Sequence, residues 1–415
     1  MRDCYDVAVV GAGIVGVSTA LHLLMRGKKV LLIDRGGAGQ ETSFCNSGII
    51  ETSYVLPFSP PSYKHMARIL LDTDTAVRFH YSSLPHYLGW IADFYLKSRI
   101  DIRRNNGKLL RPLIACALDE HRALMRGTEA ERHLSATGRV KLHRSEASFA
   151  GAALERRVAQ ELGVSFEVMD AAAFHEIEPF VRPVYHKAVK WTSSARLTNP
   201  CAVTAAYAEK FAREGGIFQK TGVRALTHIS EDLWNVETEQ GAVQANQVVV
   251  CAGPWSSDLY KSLGYAFPLG VKRGYCRHFS AIGAATLAHA VVDTDIGYVI
   301  GSMEQGIRIT TGAEFADRDA PPTPVQIERV LPYARELFPL GEAKESQARL
   351  GNRPCFADSL PVIGATPRHK GLWFNFGHGH SGLTIGPSSG RLLAEMFCGE
   401  VPFCDPTPYR ADRFA

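Results

Sequence analysis

Apolar and polar positions near the start of the chain form two short apolar runs on either side of a glycine-rich break. Residues 5–10 have the length and apolar content of a buried parallel strand, and the glycines in residues 11–16 interrupt it. Helical spacing follows over residues 17–25, and a second apolar run covers residues 30–34. The pattern predicts a strand, a tight turn, a helix and a parallel strand, which together make one βαβ unit.

The middle of the chain has helical patterning. Residues 57–161 show helical spacing, and their basic residues stand near aromatic ones. Such a basic stretch is usually a solvated helix face, and contact with lipid head groups is the alternative. Asn199 and Pro200 are the residue types of an N-cap and a first helical position, which predicts a helix to about Arg213.

Strand patterns follow this helix. Alternating runs predict strands over residues 222–226, 233–238 and 243–251, and an antiparallel sheet between residues 270 and 312 that includes strands 297–300 and 306–311. Prolines at 321, 322 and 324 separate that sheet from a helix to about Leu337. A final strand over residues 371–376 leads through a glycine-rich turn into a helix that ends near Phe397.

Composition narrows the function classes. Hydrophobic residues make up 46% of the 415 residues and charged residues 21%, as in a folded globular protein, and this length favours two lobes over one core. The formal charge of +4 is spread without a block of Lys or Arg, so we expect no nucleic-acid partner. The nine cysteines include no Cys-x-x-Cys pair, which favours reduced thiols in the cytoplasm.

Residues 7–24 are nearly uncharged and long enough to resemble a membrane span. The regular spacing of Gly11, Gly13 and Gly16 argues against that interpretation, as does the lack of a basic flank or cleavage site. We therefore expect no integral membrane segment.

A nucleotide-binding fingerprint lies between the first predicted strand and helix, and it reads Gly11-Ala12-Gly13-Ile14-Val15-Gly16. Gly11 permits the tight turn, Gly13 lets backbone amides approach a pyrophosphate, and Gly16 lets the helix pack on the strand. The helix N-terminus adds free N–H groups and partial positive charge. Asp34 would accept hydrogen bonds from an adenosine ribose and repel a 2′-phosphate, so the pattern disfavours NADP but leaves FAD and NAD open.

The polar segment after Asp34 decides the cofactor. It reads Glu41-Thr42-Ser43-Phe44-Cys45-Asn46-Ser47-Gly48. It resembles the Thr-Ser-x-x-Asn-x-Gly segment of the D-amino-acid oxidase-like flavoproteins, most closely the bacterial D-amino-acid dehydrogenase branch. The resemblance extends over essentially the whole chain and implies FAD, which we expect to be non-covalent because no cysteine stands where sarcosine-oxidase-like relatives attach it.

The fingerprint and the resemblance together imply a set of cofactor-binding residues: Gly11, Ala12, Gly13, Ile14, Val15, Gly16, Asp34, Arg35, Thr42, Ser43, Asn46, Ser47, Gly48, Ile49, Val223, Ala252, Gly253, Gly379, His380, Ser381, Gly382, Leu383 and Thr384.

The last six residues of this set, Gly379 to Thr384, lie in a second glycine-rich turn, residues 377–382, and at the start of the helix that follows it. A helix N-terminus favours negative charge by roughly 0.3–1 kcal/mol, and by up to about 2 kcal/mol when partly buried. In the resembled family this helix faces the flavin N1–C2=O edge, and the resemblance places His380 beside the substrate pocket. His378 and His380 alone are too few ligands for a metal, and we expect none.

Arg353 stands in an Arg-Pro segment that resembles the one before the last flavin-binding strand of this family. Because a guanidinium group can hold a carboxylate through two hydrogen bonds while staying charged, we expect Arg353 to bind the substrate carboxylate. Tyr298 and Tyr275 are expected to donate further hydrogen bonds. A structural arginine that bonds strand-end carbonyls is the alternative. Arg308 lies where amine-oxidising relatives place a lysine for reaction with oxygen, and arginine there favours a dehydrogenase.

The resemblance implies transfer of a hydride from the α-carbon of a D-amino acid to flavin N5, with hydrolysis of the imine to a 2-oxo acid. A D-proline or hydroxy-D-proline type of substrate would give a ring imine instead. The electrons would pass to a quinone or another protein. The expected location is the cytoplasm, with peripheral attachment to the inner face of the cell membrane as the alternative.

Two other functions stay open. One is oxidation of a secondary amine or N-methyl amino acid, as in sarcosine or glycine oxidases, because Cys45, Ser47 and His380 depart from the commonest dehydrogenase pattern. The other is a flavoprotein subunit of a multi-subunit electron-transfer complex.

The predicted fold class is α/β and α+β. A Rossmann-type FAD-binding domain (residues 1–85, 150–225 and 341–415) is interleaved with a substrate-binding domain built on a mixed or antiparallel sheet (residues 86–149 and 226–340).

Overall fold

The computed structural model describes residues 4–59 and 63–414. Its strands are β1 (Cys4–Val10), β2 (Val30–Asp34), β3 (Ile49–Ile50), β4 (Val77–Phe79), β5 (Leu134–Ser135), β6 (Arg139–His143), β7 (Phe166–Met169), β8 (Lys187–Trp191), β9 (Ala195–Leu197), β10 (Ile217–Lys220), β11 (Val223–Ser230), β12 (Leu233–Thr238), β13 (Gly241–Val250), β14 (Gly270–Ala281), β15 (Ala290–Asp293), β16 (Tyr298–Met303), β17 (Gly306–Thr311), β18 (Ala313–Phe315), β19 (Leu340–Ala343), β20 (Arg349–Cys355), β21 (Val362–Ala365) and β22 (Leu372–Phe376).

Its helices are α1 (Ile14–Leu24), α2 (Tyr63–Leu70), α3 (Leu84–Lys97), α4 (Ile100–Ala115), α5 (Ala117–Met125), α6 (Glu146–Gly151), α7 (Ala153–Glu161), α8 (Ala171–Ile177), α9 (Pro200–Arg213), α10 (Ser256–Tyr260), α11 (Val325–Leu337) and α12 (Gly382–Phe397).

The first sheet begins with the predicted βαβ unit. Its strands run in the order β10-β2-β1-β13-β12-β11, with β22 paired to β13 and β21 paired to β22. β1, β2, β10, β13 and β22 are parallel. α1 packs against α9 and α12, which bury the apolar face of these strands. α1 starts at Ile14, three residues before the predicted start, because Gly13 is its N-cap.

The predicted helix entry at Asn199 is confirmed. The Asn199 side-chain oxygen accepts a hydrogen bond of 3.0 Å from the Ala202 N–H, and Pro200 is the first residue of α9. The helix ends at Arg213, as its sequence predicts.

The second sheet has the order β4-β18-β14-β17-β16-β15-β6-β8-β7, with β19 and β20 also paired to β14. Most of its pairs are antiparallel, as predicted for residues 270–312. β3, β9 and β5 form a small third sheet. Parallel and antiparallel sheets with covering helices make this the mixed α/β fold that the sequence predicts.

We propose domain boundaries that follow sheet membership and differ from those expected from the sequence. β12 and β13 lie in the first sheet, although residues 226–340 were assigned to the substrate-binding domain. β7 and β8 lie in the second sheet, although residues 150–225 were assigned to the FAD-binding domain. We propose that the sheets define the two domains, because each sheet carries its own buried cluster of apolar side chains.

Residues 57–161 are mostly helical, but β4 and β6 interrupt the helices and join the second sheet. Residues 60–62 of this stretch lie outside the described residues. The basic face is only partly solvated, since Arg103 and Arg111 donate to the carbonyls of Pro57 and Thr52. No helix within residues 4–59 and 63–414 combines the length and the apolar character needed to cross a membrane.

Candidate active site

The turn between β1 and α1 brings backbone amides to the floor of a cleft. Gly11 has a φ of +109°, and a Cβ there would lie 2.6 Å from the Cys251 carbonyl oxygen. A Cβ at Gly16 would lie 1.8 Å from the Gly11 oxygen, so only glycine lets α1 start this close to β1. A Cβ at Gly13 would meet only the Ser43 hydroxyl, at 3.5 Å. Gly13, Ile14 and Val15 therefore face the cleft with a helix N-terminus that suits a phosphate.

The loop after β2 is fixed to this turn by short hydrogen bonds. The Asp34 carboxylate accepts from the Ala12 and Gly36 N–H groups, both at 2.7 Å. The Ser43 hydroxyl accepts from the Ile14 N–H at 3.1 Å, and Thr42 donates to the Asn352 carbonyl at 2.7 Å. Asp34, Thr42 and Ser43 line the cleft, as the sequence predicts for a nucleotide site.

The second glycine turn ends at the N-terminus of α12. Gly377 and Gly379 have φ angles of +85° and +56°, and a Cβ at Gly377 would lie 2.2 Å from the Phe356 ring. Ser381, the N-cap of α12, makes no side-chain capping bond. α12 thus presents uncapped N–H groups and a partial positive charge.

The two glycine turns line the same cleft. Gly11, Gly13, Gly379 and Gly382 are among its walls because α1 and α12 pack side by side. Two helix N-termini at one elongated cleft suit a ligand that carries phosphates at one end and an electron-accepting ring at the other. The donor set fits FAD: amides for a pyrophosphate, Asp34 for a ribose and a second helix terminus for a flavin ring.

The cleft also contains Trp255, which the sequence did not single out, beside Arg35 of the predicted set. Arg35 lies with its guanidinium carbon 4.1 Å from the centroid of the Trp255 ring, and both residues line the cleft near Val223 and Gly253. Trp255 stands two residues after Gly253 of the predicted cofactor set. This position close to the end of the predicted strand 243–251 is the sequence signal that could have identified it. Gly16 and Gly48 of the predicted set shape the backbone without lining the cleft.

A larger cavity of about 800 Å³ adjoins the cleft. Cys45, Asn46, Arg353 and His380 line both spaces. Ser47, Ile49, Ser381 and Thr384 of the predicted cofactor set lie on the larger cavity's wall. A reactant in this cavity and a cofactor in the cleft would therefore share one wall.

Arg353 is a charged group in this shared wall that has no anionic partner. It makes no ion pair with a carboxylate in the described part of the chain. Its Nη1 and Nη2 atoms donate to the Gly312 and Thr311 carbonyls at 2.7 and 3.2 Å. Burial lowers the pKa of Arg353, but an arginine keeps its charge in proteins.

The two histidines of the second turn are neutral. Burial lowers the pKa of His378 to about 3, and its Nε2 atom lies 3.0 Å from the Ser389 hydroxyl. His380 is exposed to the cavities, but desolvation by the surrounding protein also lowers its pKa well below the usual range, and the nearby charges of Arg353 and Lys272 lower it further. His380 stacks near the Phe58 ring, with centroids 4.6 Å apart. Residues 4–59 and 63–414 contain no group of three side chains placed to hold a metal.

Tyr298 lies on the wall of the larger cavity, next to Asp293. Burial raises the pKa of Tyr298, and the negative charge of Asp293 raises it further. Its hydroxyl therefore stays protonated.

Tyr275, which was expected to bond the substrate, and Arg308, which was expected near the flavin, line neither the cleft nor the larger cavity. The Tyr275 hydroxyl donates to Glu314 at 2.6 Å and accepts from Arg273 and the Thr323 N–H. Alternation along β14 explains this, because Lys272 and Gly274 face the cavity and residue 275 points to the other side.

Arg308 contacts the loop of residues 41–48 from the side that does not face the cleft. Its Nη1 atom donates to the carbonyls of Phe44 and Asn46 at 2.9 and 2.7 Å, and its Nε atom lies 2.9 Å from the His278 ring. Cys45 and Cys355 are buried, and burial raises the pKa of both thiols, as expected of packing residues.

Comparisons with known proteins agree with this geometry. A family model described as FAD dependent oxidoreductase (DAO) matches residues 6–396. The chain is 28% identical to a D-amino-acid oxidase of Bradyrhizobium diazoefficiens, over 100% of both chains. It is 27% identical to a glycine oxidase of Pseudomonas putida, over 97% of both. Its fold matches the crystal structure of glycine oxidase from Geobacillus kaustophilus with a TM-score of 0.77 at 20% identity, over 99% of each chain.

Proposed function

This chain belongs to the FAD dependent oxidoreductase (DAO) family, a family of FAD-binding flavoproteins, and from that premise we propose that it is an amino-acid dehydrogenase acting on D-amino acids. The D configuration is supported by the similarity to a D-amino-acid oxidase. Oxidation of an amino acid by bound FAD removes a hydride from the α-carbon, and water converts the imine to a 2-oxo acid and ammonia.

One observation carries the proposal. Arg353 is a half-buried cation in the wall between the cofactor cleft and the larger cavity, and no described carboxylate neutralises it. A substrate carboxylate at this guanidinium group would form charge-assisted hydrogen bonds and place the α-carbon next to the cleft. Because two carbonyls already accept from Arg353, its position is fixed before substrate binds.

His380, which is neutral, also lines both the cleft and the larger cavity. A protonated imidazole would add a charge beside Arg353, whereas a neutral ring can accept a hydrogen bond from the substrate amino group. We propose that His380 holds the amino group in this way. The amine must be neutral before its α-carbon can lose a hydride.

The proposal that a quinone or another protein accepts the electrons rests on the side chains at the rim of the larger cavity. Leu70 and Leu88 line this cavity and are 62% and 58% exposed. Exposed apolar side chains around an opening suit an apolar acceptor such as a quinone or a protein surface. The nine unpaired cysteines fit a cytoplasmic location.

The test is an anaerobic screen of D- and L-amino acids, including secondary amines, against the oxidised flavin of the purified protein. We expect D-amino acids to bleach the flavin absorbance. Bleaching would also exclude the obligatory subunit of a larger complex. No bleaching by any D-amino acid would contradict the proposal.

Arg353→Lys tests the carboxylate site. We expect the KM to rise more than about tenfold, which corresponds to about 1.4 kcal/mol, with FAD still bound. An unchanged KM would remove Arg353 from substrate binding. Reoxidation of the reduced flavin, followed separately with oxygen and with a soluble quinone, tests the acceptor, and the quinone is expected to react faster.

A further inference from the structure

A second unpaired cation faces the larger cavity directly opposite Arg353. Lys272 of β14 and Arg353 of β20 are register partners in an antiparallel pair, so their side chains lie on the same face of the sheet. Both line the larger cavity. Like charges at opposed positions are destabilising in themselves. This arrangement therefore needs negative charge from elsewhere.

The carboxylates of the cavity wall do not supply it. Glu51 pairs with Arg139 at 2.5 Å, Glu155 with Lys141 at 2.6 Å, and Asp293 with Arg144 at 2.8 Å. Within residues 4–59 and 63–414, the ammonium group of Lys272 has no hydrogen-bond acceptor and no ion-pair partner, although the residue is only 8% exposed. An ammonium group on a cavity wall without a protein acceptor leaves its N–H donors free for an anionic ligand.

Aromatic rings fix the position of this ammonium group. Its nitrogen lies 4.9 Å from the Trp90 ring centroid, 4.7 Å from Phe94 and 5.8 Å from Phe315. Trp90 is itself held by a 3.1 Å hydrogen bond from its indole N–H to the Cys355 carbonyl. These ring faces attract the cation but accept no strong hydrogen bonds.

The two cationic groups lie over different parts of β14. The Arg353 guanidinium covers Gly274, where a Cβ would come within 2.7 Å of its central carbon. The Trp90 ring that contacts Lys272 covers Gly270. Gly270 and Gly274 are four residues apart, which is roughly 13 Å along a strand, so one carboxylate is too small to contact both groups. A ligand with two acid groups joined by a short carbon chain can do so.

We infer that Lys272 determines substrate specificity by binding a second acid group at the end of the substrate side chain, so that the preferred substrates are dicarboxylic amino acids. The inference rests on the proposed function, in which Arg353 takes the α-carboxylate. The aromatic cage then holds the ammonium group at the distance of the distal acid group. Lys272 is a binding residue and takes no part in proton or hydride transfer.

Equilibrium binding of simple acids to the FAD-loaded protein tests this without turnover. Glutarate has two carboxylates and butyrate has one, and calorimetry gives the Kd of each. For the unaltered protein we expect a glutarate Kd at least about tenfold below that of butyrate. In Lys272→Met, which fills the aromatic cage with an apolar side chain, the glutarate Kd should rise about tenfold and the butyrate Kd should change less than about twofold.

Lys210→Met is the matched control. Lys210 is also a buried lysine without a carboxylate partner, and it donates to the Leu124 and Arg126 carbonyls outside the cavity. Its replacement should leave the glutarate preference unchanged. Equal affinity of the unaltered protein for glutarate and butyrate would overturn the inference. So would a Lys272→Met variant that loses both acids equally or melts at a lower temperature, because those results indicate a structural lysine.

Anaerobic flavin bleaching by D-glutamate and by its uncharged analogue D-glutamine separates this inference from the proposed function. We expect D-glutamate to act at lower concentration. Preference for D-glutamine would overturn the inference and leave the proposed function intact. Lys272-dependent glutarate binding without bleaching by any amino acid would support the two-acid site and contradict the proposed function.

Discussion

The glycines of the first turn have different tasks, although they share one motif. Gly11 has a backbone conformation that other residues avoid, and its neighbour Cys251 leaves no room for a Cβ. Gly13 has ordinary space around it and faces the cleft. We therefore expect Gly11 to be needed for folding and Gly13 for ligand binding.

Gly11→Ala and Gly13→Ala test this separation. Gly11→Ala should lower the free energy of unfolding of the FAD-free protein by about 1–3 kcal/mol because it strains the turn. Gly13→Ala should leave that free energy nearly unchanged and weaken FAD binding, because its methyl group enters the space of the phosphates. Urea denaturation and flavin fluorescence titration measure the two quantities. Equal stability of the two variants would contradict the assignment.

At the level of elements, the loop of residues 41–48 depends on a residue far along the chain. Arg308 on β17 donates to two carbonyls of this loop, and Thr42 bonds to β20. The loop is polar and has few apolar contacts of its own. Its conformation is therefore set by the second sheet.

Arg308→Met should loosen this loop. Two buried carbonyls would lose their donor, which costs about 1–3 kcal/mol of the free energy of unfolding, and we expect about a tenfold weaker FAD affinity. Arg349→Met is the control, because the Arg349 side chain is exposed and contacts the same loop at the Phe44 ring, 3.9 Å away, whereas its bond with the Cys45 thiol uses the backbone carbonyl and is kept in the variant. Equal FAD affinities of the two variants would show that Arg308 does not position the loop.

Local patterns predicted the elements around the cofactor well. β1, α1, β2 and α9 have strong local signals, namely an apolar run, helical spacing, glycines or an N-cap. β4 and β6 were missed because three to five residues carry little signal and their partners, β18 and β15, are distant in sequence.

The side-chain directions on β14 could not be predicted for a different reason. This strand is buried on both faces over most of its length, so no polar alternation marks the face of the cavity. Tyr275 was therefore expected in the site, and Lys272 was not recognised. Only the pairing with β20 reveals which residues share the cavity with Arg353.

At the scale of the whole molecule, several buried histidines make stability depend on pH. Burial lowers the pKa of His22 and His378 to about 3 and that of His121 to about 4. These side chains stay neutral in the fold, whereas the unfolded chain binds protons below about pH 6.5. Their contribution is therefore present above pH 6.5 and is lost as the pH falls from there toward 4.

We expect the free energy of unfolding to fall by about 1.4 kcal/mol per pH unit for each such histidine below pH 6. Urea unfolding curves between pH 4 and about 7 measure this slope. His121→Gln should make the slope shallower, and replacement of the exposed His186 by Gln should leave it unchanged. A pH-independent free energy across this window would contradict the neutral state of these histidines.

Cofactor binding should stabilise the entire fold. The residues that line the cleft fall within 10–15, 33–46, 221–224, 251–259, 351–354 and 375–383, so a bound FAD would contact both ends of the chain and its middle. At one hundred times its Kd, FAD should add about 2.7 kcal/mol to the free energy of unfolding. Thermal unfolding at increasing FAD concentration checks this. A melting temperature that does not change with FAD concentration would argue against the cleft as the FAD site.

The packing of α1 on α12 has a consequence for biosynthesis. A Cβ at Gly390 would lie 2.8 Å from the Thr19 backbone nitrogen, so the first and last of these helices touch at backbone distance. While a ribosome is still translating the middle of the message, the nascent polypeptide has only half of its flavin pocket. FAD can then bind only after synthesis is almost complete. Prematurely terminated products would bind no flavin and would be colourless.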